Sequence, residues 1–66
     1  MQVILYSTGC PKCNVLKAKL DNKNIKYDVV SNVDIIMSKG ISTVPVLEID
    51  GQLLEFKKAV DWVNER

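Results

Sequence analysis

The chain has two cysteines, and they stand together as Cys10-Pro11-Lys12-Cys13. They follow an apolar run, Val3-Ile4-Leu5-Tyr6, and a small-residue turn, Ser7-Thr8-Gly9. A strand, a turn, C-x-x-C and then a helical pattern is the context in which this motif reads as a redox dithiol. A cysteine at a helix N-terminus meets unpaired backbone N–H groups and the positive end of the helix dipole. Both favour thiolate, which is the nucleophilic form of the sulfur. Cys10 is therefore the expected nucleophile. Cys13, one turn later, is the expected resolving thiol, able to attack a mixed disulfide formed at Cys10. It also falls on the apolar face of its helix, which suits a buried thiol behind an exposed one. Pro11 sits in the first helical turn, where its missing N–H costs nothing. Lys12 is either a solvated side chain or a cation close enough to favour the thiolate. The pair has two competing readings, a metal site and inert structural thiols. Zinc takes four Cys or His ligands. The chain has no histidine, so a zinc or iron–sulfur site through these thiols would be shared between two chains.

Sixty-six residues make one small domain, taken as residues 1–66. A bridge closing so short a loop restricts the unfolded chain very little. The dithiol is thus placed for chemistry, and stability must come from an apolar core, for which 47% apolar residues suffice. Nine basic and eight acidic residues give a net charge of +1. That argues against non-specific nucleic-acid binding, which needs a concentrated basic face. No apolar run approaches the ~20 residues of a membrane span. Met1-Gln2-Val3 leads directly into a strand with no signal-peptide pattern. The expected compartment is the cytosol, where dithiols stay reduced and act as catalysts.

The elements that must hold the cysteines follow from period and punctuation. Gln2 to Tyr6 reads as a strand apolar on both faces, hence central. Cys13, Leu16 and Leu20, with Val15 and Ala18 beside them, mark an amphipathic helix from Pro11 to about Asn22. Asn22 and Asn24 end it, since Asn tolerates left-handed geometry. Ile25, Tyr27 and Val29 alternate with Lys26 and Asp28 as a half-buried strand. Asn32 caps a short helix over Val33 to Lys39, with Val33, Ile36 and Met37 as its apolar positions and Gly40 as its stop. Val44 to Ile49 is the third strand. Asp50-Gly51 is a strong hairpin signal, and Gln52 to Glu55 returns as the fourth. Phe56, Ala59, Val60 and Val63 face inward on a final helix ending near Arg66, with Trp62 partly buried. The order is β-α-β-α-β-β-α, with the first two strands parallel through a right-handed crossover.

With C-P-x-C after the first strand, Thr43-Val44-Pro45 before the third and Asp50-Gly51 in the hairpin, the chain resembles a glutaredoxin of the thioredoxin superfamily over essentially its whole length. The resemblance implies a minimal thioredoxin-like α/β fold, a four-stranded mixed sheet of order 2-1-3-4 with three helices. It implies a thiol–disulfide oxidoreductase that reduces protein or low-molecular-weight disulfides by a dithiol mechanism, acting as a monomer. It further implies a cis Val44–Pro45 bond, with Thr43, Val44 and Pro45 forming the substrate groove, and Tyr6 closing the core beneath the site. No bound cofactor is implied. The partners are a disulfide-containing protein, ribonucleotide reductase among the candidates, and a reductant, which is either thioredoxin reductase or the glutathione system. Three departures bear on that choice. The turn Ser7-Thr8-Gly9 is short and lacks the family's lysine. Glu55-Phe56-Lys57-Lys58 stands where the family carries a glycine pair and an aspartate that hold glutathione. One helix follows the hairpin where many members have two.

Overall fold

The computed structural model describes residues 2–66. Its elements run β1 (Val3–Tyr6), α1 (Pro11–Asn22), β2 (Asp28–Val30), α2 (Val33–Ser38), β3 (Val46–Ile49), β4 (Gln52–Glu55) and α3 (Phe56–Asn64). The sheet has the order β2-β1-β3-β4. β1 pairs parallel with β2 and antiparallel with β3, and β3 pairs antiparallel with β4. This is the mixed sheet with three helices expected from the sequence.

Pleating sends alternate residues to opposite faces, and each face carries its own cluster. Val3 and Leu5 of β1 and Leu47 of β3 meet Leu16, Leu20, Ala59 and Val63 from α1 and α3. Tyr6 and Val46 point the other way, toward Ile36 of α2 and Ile41 behind it. β1 is thus covered on both sides, as its apolar run requires. Among the described residues, no helix is long and apolar enough to cross a membrane.

The turns explain where elements stop. α1 closes in a Schellman motif: Asn24, at φ 56°, donates its N–H to Asp21, and the Ile25 N–H reaches Leu20. α2 closes in the same way, with Gly40 N–H on Met37 and Ile41 N–H on Ile36. Asp50 and Gly51 both have positive φ, 48° and 90°, the pattern of a type I′ hairpin turn.

Three expectations are corrected. The second strand is Asp28–Val30, not the run from Ile25. Ile25 is consumed by the α1 closure, and Ile25 and Tyr27 pack on the α1/α3 cluster before pairing begins. The third strand starts at Val46 rather than Val44. Pro45 has no N–H for a ladder. In α2 only Ile36 is buried; Val33 and Met37, read as inward, are 55% and 67% exposed. Six residues make fewer than two turns, too few to bury a stripe.

Candidate active site

Sheet register assembles the site. Tyr6 pairs with Val46, and Val46 in turn with Glu55. Past the paired residues, Ser7-Thr8-Gly9-Cys10, Thr43-Val44-Pro45 and Phe56-Lys57 therefore leave the same end of the sheet. Ser7 is tied there by its N–H to the Val30 carbonyl, 3.0 Å. Gly9 follows at φ 87°, a conformation L side chains rarely adopt. It swings the chain so that Cys10 arrives at the N-terminus of α1.

Cys10 is the N-cap of α1, in extended backbone geometry. Its Sγ accepts the Cys13 N–H at 3.3 Å, and its carbonyl accepts the Asn14 N–H at 3.1 Å. Sulfur thus takes the place that a Ser, Thr or Asp oxygen usually fills. Both cysteines are free; Cys10 is partly exposed and Cys13 is 1% exposed. Burial pushes the Cys13 thiol up. Hydrogen bonds from the Cys10 side chain, the Ser7 hydroxyl and the Thr8 and Cys10 backbone outweigh it and hold the thiol below its ordinary value. The converging donors favour charge on Cys13. Access separates the two thiols, because only the Cys10 sulfur is open to a reagent from outside.

The groove residues lie where the register puts them. The Val44–Pro45 peptide is cis, with Pro45 buried, Val44 partly exposed and Thr43 exposed. Thr43, Val44 and Pro45 line a cavity of about 380 Å³ with Lys12, Glu55, Phe56 and Lys57. Pro11 is the first residue of α1. Lys12 has a partner that spacing did not indicate: its ammonium stands 5.6 Å from the centroid of the Phe56 ring, a cation–π distance.

Tyr6 lies beneath the site and does not join it. It is 2% exposed, and its hydroxyl donates to Glu48 Oε1 at 2.9 Å. Burial, and next the Glu48 carboxylate, raise its pKa. Lys39 Nζ lies 3.9 Å from the same Glu48 oxygen. Ser7 and Glu48 escaped the sequence reading, yet each left a trace. Ser7 is the first polar residue after an apolar run, and Glu48 is a charge inside a strand read as apolar. Groups of that kind need partners when covered. Among the described residues, no three Cys, Asp or Glu side chains cluster as a metal site within one chain.

The glutaredoxin family model matches residues 3–54. That span runs from β1 into β4 and contains both cysteines and Thr43-Val44-Pro45. It stops just before Glu55-Phe56-Lys57-Lys58. No curated protein matches the chain.

Proposed function

The chain belongs to the glutaredoxin family, and from that premise we propose that it reduces disulfides through Cys10 and Cys13 by a dithiol mechanism. One observation carries the reading: an open sulfur capping a helix, with a buried thiol hydrogen-bonded behind it. The Cys10 thiolate attacks one sulfur of a substrate disulfide. The substrate S–S bond breaks, a Cys10–substrate bond forms, and the departing thiolate takes a proton. Cys13, held toward thiolate by its donors, then attacks Cys10 Sγ. The second substrate thiol leaves, and the Cys10–Cys13 bridge remains. Two electrons have passed to the substrate, and an external dithiol or two monothiols must return them.

Pro45 and the Val44 backbone would shape the groove in which an extended substrate lies, and Thr43 would contact its backbone. Pro11 and Lys12 support the turn, and Tyr6 supports the floor. Phe56 fills the space where the family's glycine pair lets glutathione approach the backbone, which favours a protein reductant such as thioredoxin reductase, while Lys12 and Lys57 beside it attract carboxylates and oppose that preference. A cytosolic monomer serving a protein disulfide, ribonucleotide reductase among the candidates, fits this chemistry.

The test is reduction of hydroxyethyl disulfide and of a protein disulfide, coupled in parallel to thioredoxin reductase and to glutathione with glutathione reductase. Cys10→Ser should abolish turnover, and Cys13→Ser should accumulate a mixed disulfide visible by intact mass. Full turnover by Cys10→Ser would end the reading. Metal bound stoichiometrically to anaerobically purified protein would replace it with the shared-metal reading.

A further inference from the structure

A second cavity, of about 430 Å³, lies across Val44 from the first. Thr8, Val33, Ile36, Met37, Ile41, Ser42 and Val44 line it. The two differ in character. The first carries Lys12, Glu55 and Lys57; the second has no charged residue, only aliphatic side chains, a thioether and two hydroxyls. Along the chain the first cysteine lies between their linings: Thr8 precedes Cys10 by two residues, Lys12 follows it by two, and Val44 belongs to both cavities. Of that lining, Val33 and Met37 on α2 stand largely exposed.

Resting on the dithiol reading above, we propose that this second cavity selects the substrate: it takes a large apolar side chain adjacent to the attacked cysteine of a polypeptide disulfide. The occupant follows from chemistry. A chain pairing with the Val44 backbone over Cys10 crosses from one cavity to the other, and in an extended segment successive side chains point to opposite sides. On the α2 side such a side chain meets no charge and replaces water against Val33, Ile36, Met37 and Ile41. A tripeptide thiol with charged ends and no apolar side chain leaves this cavity empty. The preferred substrate is therefore a protein disulfide whose cysteine has a Leu, Met or Phe neighbour.

Short peptides carrying one cysteine as a mixed disulfide with a chromogenic thiol give the test, with Leu, Gly or Asp as the variable neighbour. Burying a leucine-sized side chain predicts kcat/KM for the Leu peptide about tenfold above the Gly peptide, with the Asp peptide lowest. Val33→Asp and Met37→Asp change exposed positions. They should erase the preference for Leu while leaving hydroxyethyl disulfide reduction unchanged. Equal rates for the Leu and Gly peptides, or a preference surviving both substitutions, would overturn the proposal. If hydroxyethyl disulfide itself is not reduced, the dithiol reading fails instead, and the cavity is then judged by binding. Methyl NMR with a peptide bearing serine for cysteine should shift Ile36 and Ile41 with the Leu form and not with the Gly form. Absence of that difference also overturns it.

Discussion

The two faces of the sheet are built to different standards. On one, α1 and α3 lie side by side and bury Leu5, Leu16, Leu20, Leu47, Ala59 and Val63 completely. On the other, six-residue α2 contributes one buried side chain, and a tyrosine–glutamate pair takes up part of the interior. The first face is a close-packed solid, where lost volume is costly. The second has a smaller core, a half-buried glutamate at its edge, and apolar side chains left in water. The contrast teaches that a domain this small concentrates its stability on one side. The side facing the proposed substrate can then stay open.

The largest test of that contrast is volume. Leu47→Ala removes a side chain at the centre of the first face and should cost about 2–5 kcal/mol. A chain of this length has roughly 3–10 kcal/mol in total, so the variant should be partly unfolded at room temperature in urea titrations. Met37→Ser, on exposed α2, should move the midpoint by no more than about 0.5 kcal/mol. Similar losses from both would mean that the faces are not unequal.

A smaller effect probes the polar pair. Tyr6→Phe keeps the ring and leaves Glu48 with Lys39 alone, at 3.9 Å. The expected loss is about 1 kcal/mol by denaturant titration. A gain in stability would show that the pair is retained for something other than folding.

The smallest effect concerns pH, and it falls on the well-packed side. Burial, and then the Asp21 carboxylate that accepts its hydroxyl at 2.9 Å, push the Tyr27 pKa up to about 12. The neutral phenol is favoured in the folded chain relative to the unfolded one, whose tyrosine ionises near 10. Its contribution is therefore complete below pH 10 and fades as pH rises toward 12. Tyr27→Phe should flatten part of the alkaline fall in melting temperature between those values. An unchanged slope would assign that fall elsewhere, Tyr6 being the alternative.

These unequal faces were only half visible in the residues. Element order, sheet order, the Asp50-Gly51 turn and the helix end at Asn24 rest on local rules, period and punctuation, which act within a few residues. The placement of the C-x-x-C was equally legible, Cys10 at the start of α1 and Cys13 one turn on, since it is written in four adjacent positions. What period could not say is whether a partner exists to cover an apolar stripe. Val33 and Met37 have helical spacing, but no element lies over them. The Tyr6–Glu48 bond joins residues 42 positions apart in sequence, and the donors around Cys13 come from the turn before it. Tyr6 and Glu48 become neighbours only once the register of β1 against β3 is set.

Cys10 Sγ accepts a backbone N–H as the cap of α1, and this ties redox poise to folding. In the dithiol cycle proposed above, a sulfur committed to a disulfide is a weaker acceptor than a thiolate, so the thiolate form would have the better-capped helix. Whatever stabilises the reduced form relative to the oxidised one raises the potential of the couple. A cap contributes up to about 1 kcal/mol, which for two electrons is about 20 mV toward the oxidising side. The α1 terminus thereby sets how readily the oxidised chain accepts electrons from whatever reductant restores it. Substitutions in its first turn would shift that potential by a similar amount without touching either sulfur.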